Sequence, residues 1–149
     1  MRAVVQRVSE CTVRVGDRLA GSIGSGLLVY LGVGRRDTEG DARALCEKIL
    51  NLRIFSDEQN KMNRSLLDVR GEILVVSQFT LFGDTREGRR PSYTEAADAE
   101  TARRLYEHAL ALFAQSGLHV ASGEFQAMMR VSYTNMGPVT ILVDSEKKF

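Results

Sequence analysis

Short β-rich runs open the chain. Their spacing predicts strands over residues 3–8, 12–15, 18–22 and 27–33, with turn signals at Gly16-Asp17 and Gly24-Ser25-Gly26 between them. The period then changes: Ala42, Leu45, Cys46, Ile49 and Leu50 recur at helical spacing behind Thr38, an N-cap residue with Asp41 three positions on. A helix over 38–50 is predicted. After a polar loop through Met62-Asn63, residues 72–78 carry the unbroken apolar core Ile73-Leu74-Val75-Val76, which predicts a strand buried on both faces. Ala102, Leu105, Tyr106, Ala109, Leu112 and Phe113 form one stripe of a second helix over 98–116, and Gly117 suits its C-terminal stop. Two last strands, near 128–134 and 139–143, are separated by Asn135-Met136-Gly137-Pro138. This order of elements predicts a mixed α/β fold with helices packed on one side of the sheet.

Composition narrows the class. With 149 residues, 44% hydrophobic and 26% charged, the chain can bury a core and is expected to form one domain over 1–149 rather than a disordered segment. The longest apolar run, Gly26 to Val33, is far short of the roughly 20 residues a membrane-spanning helix needs. Met1-Arg2-Ala3-Val4-Val5-Gln6-Arg7 lacks the apolar region and cleavage site of a secretory signal. A cytoplasmic protein is expected, with Cys11 and Cys46 as free thiols. A net charge of +1 argues against a protein that coats nucleic acid through bulk charge, but leaves a discrete site open. Of the 20 basic residues 16 are arginine, the side chain that grips phosphate or carboxylate through two parallel hydrogen bonds, although genomic base composition gives the same bias.

Several standard chemistries find no footing. The only histidines are His108, on the polar side of the second helix and expected to be solvated, and His119, expected to begin a strand. Two Cys and two His without close spacing make no zinc site, and the glycine pairs lack both phosphate-binding fingerprints, so no metal and no cofactor is expected. Two segments stand out. Ser77-Gln78-Phe79-Thr80-Leu81-Phe82-Gly83-Asp84 ends a buried strand in polar groups with an aromatic between them, as either a site or a capped strand. Asn135-Met136-Gly137-Pro138-Val139-Thr140 reads by spacing alone as a tight connection. The loop holding Arg86, Arg89, Arg90 and Tyr93 could hold a phosphate and stack a base, or be a solvated loop.

Together these residues resemble one family. The Val-Gln-Arg start, Gly26-Leu27-Leu28-Val29, Arg53-Ile54-Phe55-Ser56-Asp57, Lys61-Met62-Asn63, Ser77-Gln78-Phe79-Thr80-Leu81, Arg90-Pro91-Ser92 and Asn135 to Thr140 are similar, in order and over nearly the whole chain, to D-aminoacyl-tRNA deacylases. The resemblance implies a three-layer β/β/α fold with mostly antiparallel sheets, and a cytosolic homodimer with its active site at the subunit interface. The implied substrate is the aminoacyl-tRNA 3′ end, whose ester to a D-amino acid is hydrolysed as chiral proofreading. Ser77, Gln78, Phe79 and Thr80 would line the catalytic pocket, and Gly137-Pro138 would enter from the other subunit through a cis bond. Arg7 would hold that step, and Met129 would flank the pocket. Met136 stands where relatives carry a small or acidic residue.

The chemistry of such a site can be followed. A filter blind to the side chain should use rigid backbone to reject the L-configuration, and achiral glycyl-tRNA should then enter. Backbone N–H groups around Phe79 and Thr80, with the Gln78 amide, suit an oxyanion site. Neither Thr80 nor Ser77 has a histidine or lysine in its motif to take its proton. The resemblance instead implies assistance from the 2′-hydroxyl of the terminal adenosine. A few placed arginines, Arg86, Arg89 and Arg90, would hold the tRNA. The competing expectations are a non-catalytic tRNA- or RNA-binding dimeric module, resting on the arginine loop and the polar groups at the strand end, and a dimerisation domain that has lost the reaction.

Overall fold

The long strand β1 (Arg2–Val15) is the axis of the molecule. It joins the two strands predicted at 3–8 and 12–15, because β8 (Met129–Asp144) pairs antiparallel with it along its length and carries it through the polar Ser9-Glu10 segment. Along its other edge, Arg2–Val8 pairs with β3 (Gly26–Gly32) and Cys11–Val15 with β2 (Arg18–Ile23), both antiparallel. The computed structural model describes residues 1–148, and Phe149, the end of the tail, lies outside the described residues.

From β3 the sheet continues in parallel to β6 (Glu72–Ser77) and then β7 (Val120–Ser122), giving the order β2-β1-β3-β6-β7 with β8 on β1. The sheet curls almost into a barrel. A Cβ on Gly21 of β2 would lie 2.5 Å from the Ser122 carbonyl oxygen of β7, and His119 Nε2 lies 3.4 Å from the Ser22 carbonyl. Only glycine lets the backbones approach so closely.

Two helices cover one face. Thr38 caps α1 (Glu39–Leu50) with a reciprocal Asp41 bond, and the Asp98 side chain caps α3 (Ala99–Ala114). Their buried stripes, including Leu45, Ile49, Leu105 and Phe113, meet Leu27, Val29, Leu31, Ile73 and Val75. The opposite faces of the same strands present Leu28, Leu74 and Val76 to Val8, Cys11, Val13 and Ile23. This double burial explains the unbroken apolar runs of β3 and β6 and gives the expected layers: helices, sheet, and the curled-over strands.

Three expectations need correction. The polar loop through Met62-Asn63 is a hairpin of β4 (Phe55–Ser56) and β5 (Met62–Arg64), followed by α2 (Leu66–Val69) under a Ser65–Asp68 capping box. His108 is half-buried, and among the described residues its Nε2 has no hydrogen-bond partner. Arg104, one turn earlier, bonds Glu39 of α1 at 2.9 Å and ties this side of α3 down. The predicted break at 135–138 is a bulge within β8.

Candidate functional site

Because β6 runs parallel to β3, its carboxyl end stops beside that of its neighbour. Gln78 N–H donates to Leu31 O at 2.9 Å, and the chain then folds into a 3-10 turn, Phe79–Phe82, across β3. Gly32 permits this: a Cβ there would meet Gln78 O at 2.9 Å and Leu81 Cβ at 3.1 Å. The turn opens a cleft of about 690 Å³ lined by Ser77, Gln78, Phe79, Thr80 and Met129. That volume lies within the range of small-molecule sites. The opening N–H groups of the turn, Phe79 and Thr80, have no acceptor inside it, as at any helix start. Gln78 Nε2 donates to Thr80 Oγ1. Phe79, 57% exposed, meets Tyr93 edge to face with ring centroids 5.1 Å apart.

The opposite wall is small and apolar. Ala97, Ala99 and Ala102 of the α3 entry face Phe125 and Met128 from the loop before β8. Arg103 holds that loop, its guanidinium 4.6 Å from the centre of the Phe125 ring and its Nη2 donating to Gln126 Oε1 at 3.3 Å. Behind the cleft, the Tyr106 hydroxyl donates to Val75 O at 2.9 Å, and burial pushes this phenol up to about 12.

Gly137, Pro138 and Arg7 gather elsewhere. Between the pairs Gln6–Thr140 and Val8–Asn135, residues 136–139 of β8 bulge opposite Arg7. The Gly137–Pro138 bond is cis. Arg7 Nε donates to Met136 O at 3.1 Å and its Nη1 to Ile54 O at 2.6 Å, so this arginine braces two backbone segments. The bond uses the Met136 carbonyl, independent of the side chain at that position. None of these residues lines the cleft of the same chain.

The arginine loop is closed by paired bonds between Asp84 and Ser92, 2.8 and 2.9 Å long. Arg86 forks onto Asp84, with Nε 2.9 and 3.0 Å from the two carboxylate oxygens, and these bonds hold the Asp84 carboxyl at about 2. Arg89 and Arg90 are exposed, and among the described residues neither forms an ion pair.

A family profile described as D-Tyr-tRNA(Tyr) deacylase matches residues 4–144. The D-aminoacyl-tRNA deacylase of Clostridium botulinum is 54% identical over 149 residues, covering all of both chains. The chain belongs to the D-Tyr-tRNA(Tyr) deacylase family. Among solved structures, the c-Myc DNA Unwinding Element Binding Protein aligns at 39% identity with a TM-score of 0.91, covering 97% of this chain and 98% of that one. A probable eukaryotic D-amino acid tRNA deacylase has the same fold at 19% identity, with a TM-score of 0.84 over 95% and 97% of the two chains.

Membership in the D-Tyr-tRNA(Tyr) deacylase family makes the protein an ester hydrolase. Of the residues singled out in the sequence, Ser77, Gln78, Phe79, Thr80 and Met129 share one cleft, while Arg7, Gly137 and Pro138 share a separate loop cluster. Sequence reasoning missed the alanine wall, whose residue type carries no chemical signal. It also missed Asn135, read by spacing as part of a tight connection, whose Oδ1 accepts from the Val139 N–H at 2.9 Å and whose Nδ2 donates to Thr140 Oγ1 at 3.0 Å.

Proposed function

We propose that the protein hydrolyses the ester of D-aminoacyl-tRNA in the Ser77–Thr80 cleft, as a cytoplasmic homodimer in which the Gly137-Pro138 loop of a second copy completes the site. One observation carries this reading: the cleft is lined by the hydroxyls of Ser77 and Thr80 and the amide of Gln78, with no histidine, lysine or arginine among its lining residues. Such a site can hold an ester and its developing oxyanion, while the proton acceptor must come from the substrate or water. The 2′-hydroxyl of the terminal adenosine is adjacent to the ester and assists there, while the protein positions the ester and the attacking water. Exposed Met136 beside the loop and exposed Phe79 beside the cleft give both surfaces apolar contact area for such a dimer.

Selection works by exclusion. The Gly137-Pro138 loop occupies the space an L-substituent on Cα would need, so D-aminoacyl and achiral glycyl esters enter. The test is release of amino acid from matched D-, L- and glycyl-tRNA by the purified protein. D- and glycyl-ester turnover with the L-ester spared is expected, and equal D and L turnover would overturn the selection. No turnover of the D-ester would leave the second reading, a non-catalytic RNA-binding module. Exposed Arg89 and Arg90 favour it, as does a relative named for DNA-element binding.

A further inference from the structure

The loop that carries Gly137 and Pro138 cannot be held by strand pairing. Four residues of β8, 136–139, stand opposite the single residue Arg7, so the ladder offers them no regular partners. The feet of the loop are tied instead by one side chain. Asn135 Oδ1 accepts from the Val139 N–H at 2.9 Å, and Asn135 Nδ2 donates to Thr140 Oγ1 at 3.0 Å. Gln6 Nε2 reaches the same Thr140 oxygen from β1 at 3.1 Å. The amide orientation is dictated by these partners, since Oδ1 must face an N–H and Nδ2 an acceptor. Arg7 grips the near side at Met136 O.

We infer that Asn135 is a positioning residue for stereoselection, setting how far the Gly137-Pro138 tip projects and thereby the ratio of D- to L-ester hydrolysis rather than the rate of hydrolysis itself. This rests on the proposed reading that the tip excludes L-substituents. A filter made of contact repulsion has a short range, and a tip free to move by more than about 0.5 Å no longer discriminates sharply. Asn135 ties together the two ends of the loop, so its loss frees the tip while leaving the Ser77–Thr80 cleft untouched.

The experiment compares wild type, Asn135→Ala, Asn135→Asp and Thr140→Val on D-, L- and glycyl-tRNA, with hydrogen exchange read at the Val139 amide. For Asn135→Ala, the D-ester rate should stay within about threefold while the D-over-L ratio falls at least about fivefold, the scale of one lost hydrogen bond. Val139 should lose protection. Asn135→Asp keeps an acceptor for Val139 and can accept from the Thr140 hydroxyl, so it should recover most of the ratio; Thr140→Val should fall between. General structural damage would lower D-ester turnover and leave the ratio alone. An unchanged ratio in Asn135→Ala, or a Val139 amide already unprotected in wild type, overturns the inference. Should Asn135→Ala fail to fold, a wild-type ratio in Thr140→Val overturns it. Equal D and L turnover by the wild type removes the underlying reading and the inference together, whereas discrimination kept by every protein removes the inference alone.

Discussion

Gln78 Nε2 donates a hydrogen bond to Thr80 Oγ1 across the start of the turn that follows β6. An amide N–H can orient the hydroxyl but cannot remove its proton, so Thr80 is held in place without being activated. Under the proposed mechanism, assistance comes instead from the substrate's own 2′-hydroxyl.

Thr80→Ala is therefore expected to lower deacylation by less than about tenfold, whereas loss of a true nucleophile costs several orders of magnitude. A tRNA ending in 2′-deoxyadenosine should lose nearly all turnover with the unaltered enzyme. Single-turnover rates on both substrates check this, and the opposite pattern would restore covalent catalysis.

Arg86 has already spent its charge on Asp84, while Arg89 and Arg90 have not. Replacing both Arg89 and Arg90 by Gln should reduce the salt slope of tRNA binding by about 2, and Arg86→Gln should reduce it by much less. The pair also predicts a pH effect of definite sign. Asp84 is depressed from 3.8 to about 2, so the ion pair is intact above pH 4 and its contribution fades as pH falls toward 2. Carboxyl titration by NMR should show the midpoint returning toward 3.8 in Arg86→Gln.

Gly137 has φ +129°, and a Cβ there would stand 2.8 Å from Val139 Cγ2 and 3.1 Å from Arg7 Nη2. Gly137→Ala should cost about 1–3 kcal/mol through the unfavourable backbone region. Urea denaturation measures the loss, and discrimination between D- and L-esters should deteriorate with it.

Burial pushes the Cys11 thiol up to about 11 and that of Cys46 to about 12, from 9.0. Neither should react with a thiol-specific chromogenic reagent at pH 8 in the native protein, and both should react in urea. Because the unfolded thiols ionise near pH 9 and the folded ones do not, stability should fall as pH rises from about 9 toward 11.

The parts of the fold written in the sequence were those governed by local burial. The two-sided strand at Ile73-Leu74-Val75-Val76 and both long helices, with caps at Thr38 and Asp98, follow from residues close together in the chain. The continuity of β1 does not, because Ser9 and Glu10 are held in the strand by a partner more than a hundred residues away. The hairpin of β4 and β5 was too short and exposed to show a period, though Ser65 and Asp68 carried a capping signal for the helix after it. At the site, the polar strand end was visible. Its alanine wall and the amide clamp at Asn135 depend on which residues meet in space, and one-dimensional pattern carries little of that.

The pairing of β1 with β8 also bears on synthesis. Strand β1 leaves the ribosome early and β8 late, so one whole edge of β1 stays open on the nascent chain until the final strand arrives. Contacts of such long sequence separation form slowly. The Gly137-Pro138 loop is carried by that same closing strand, so no half-made molecule can present a finished sheet without it. A copy that folds at all therefore carries the loop that the proposed dimer would lend to its partner.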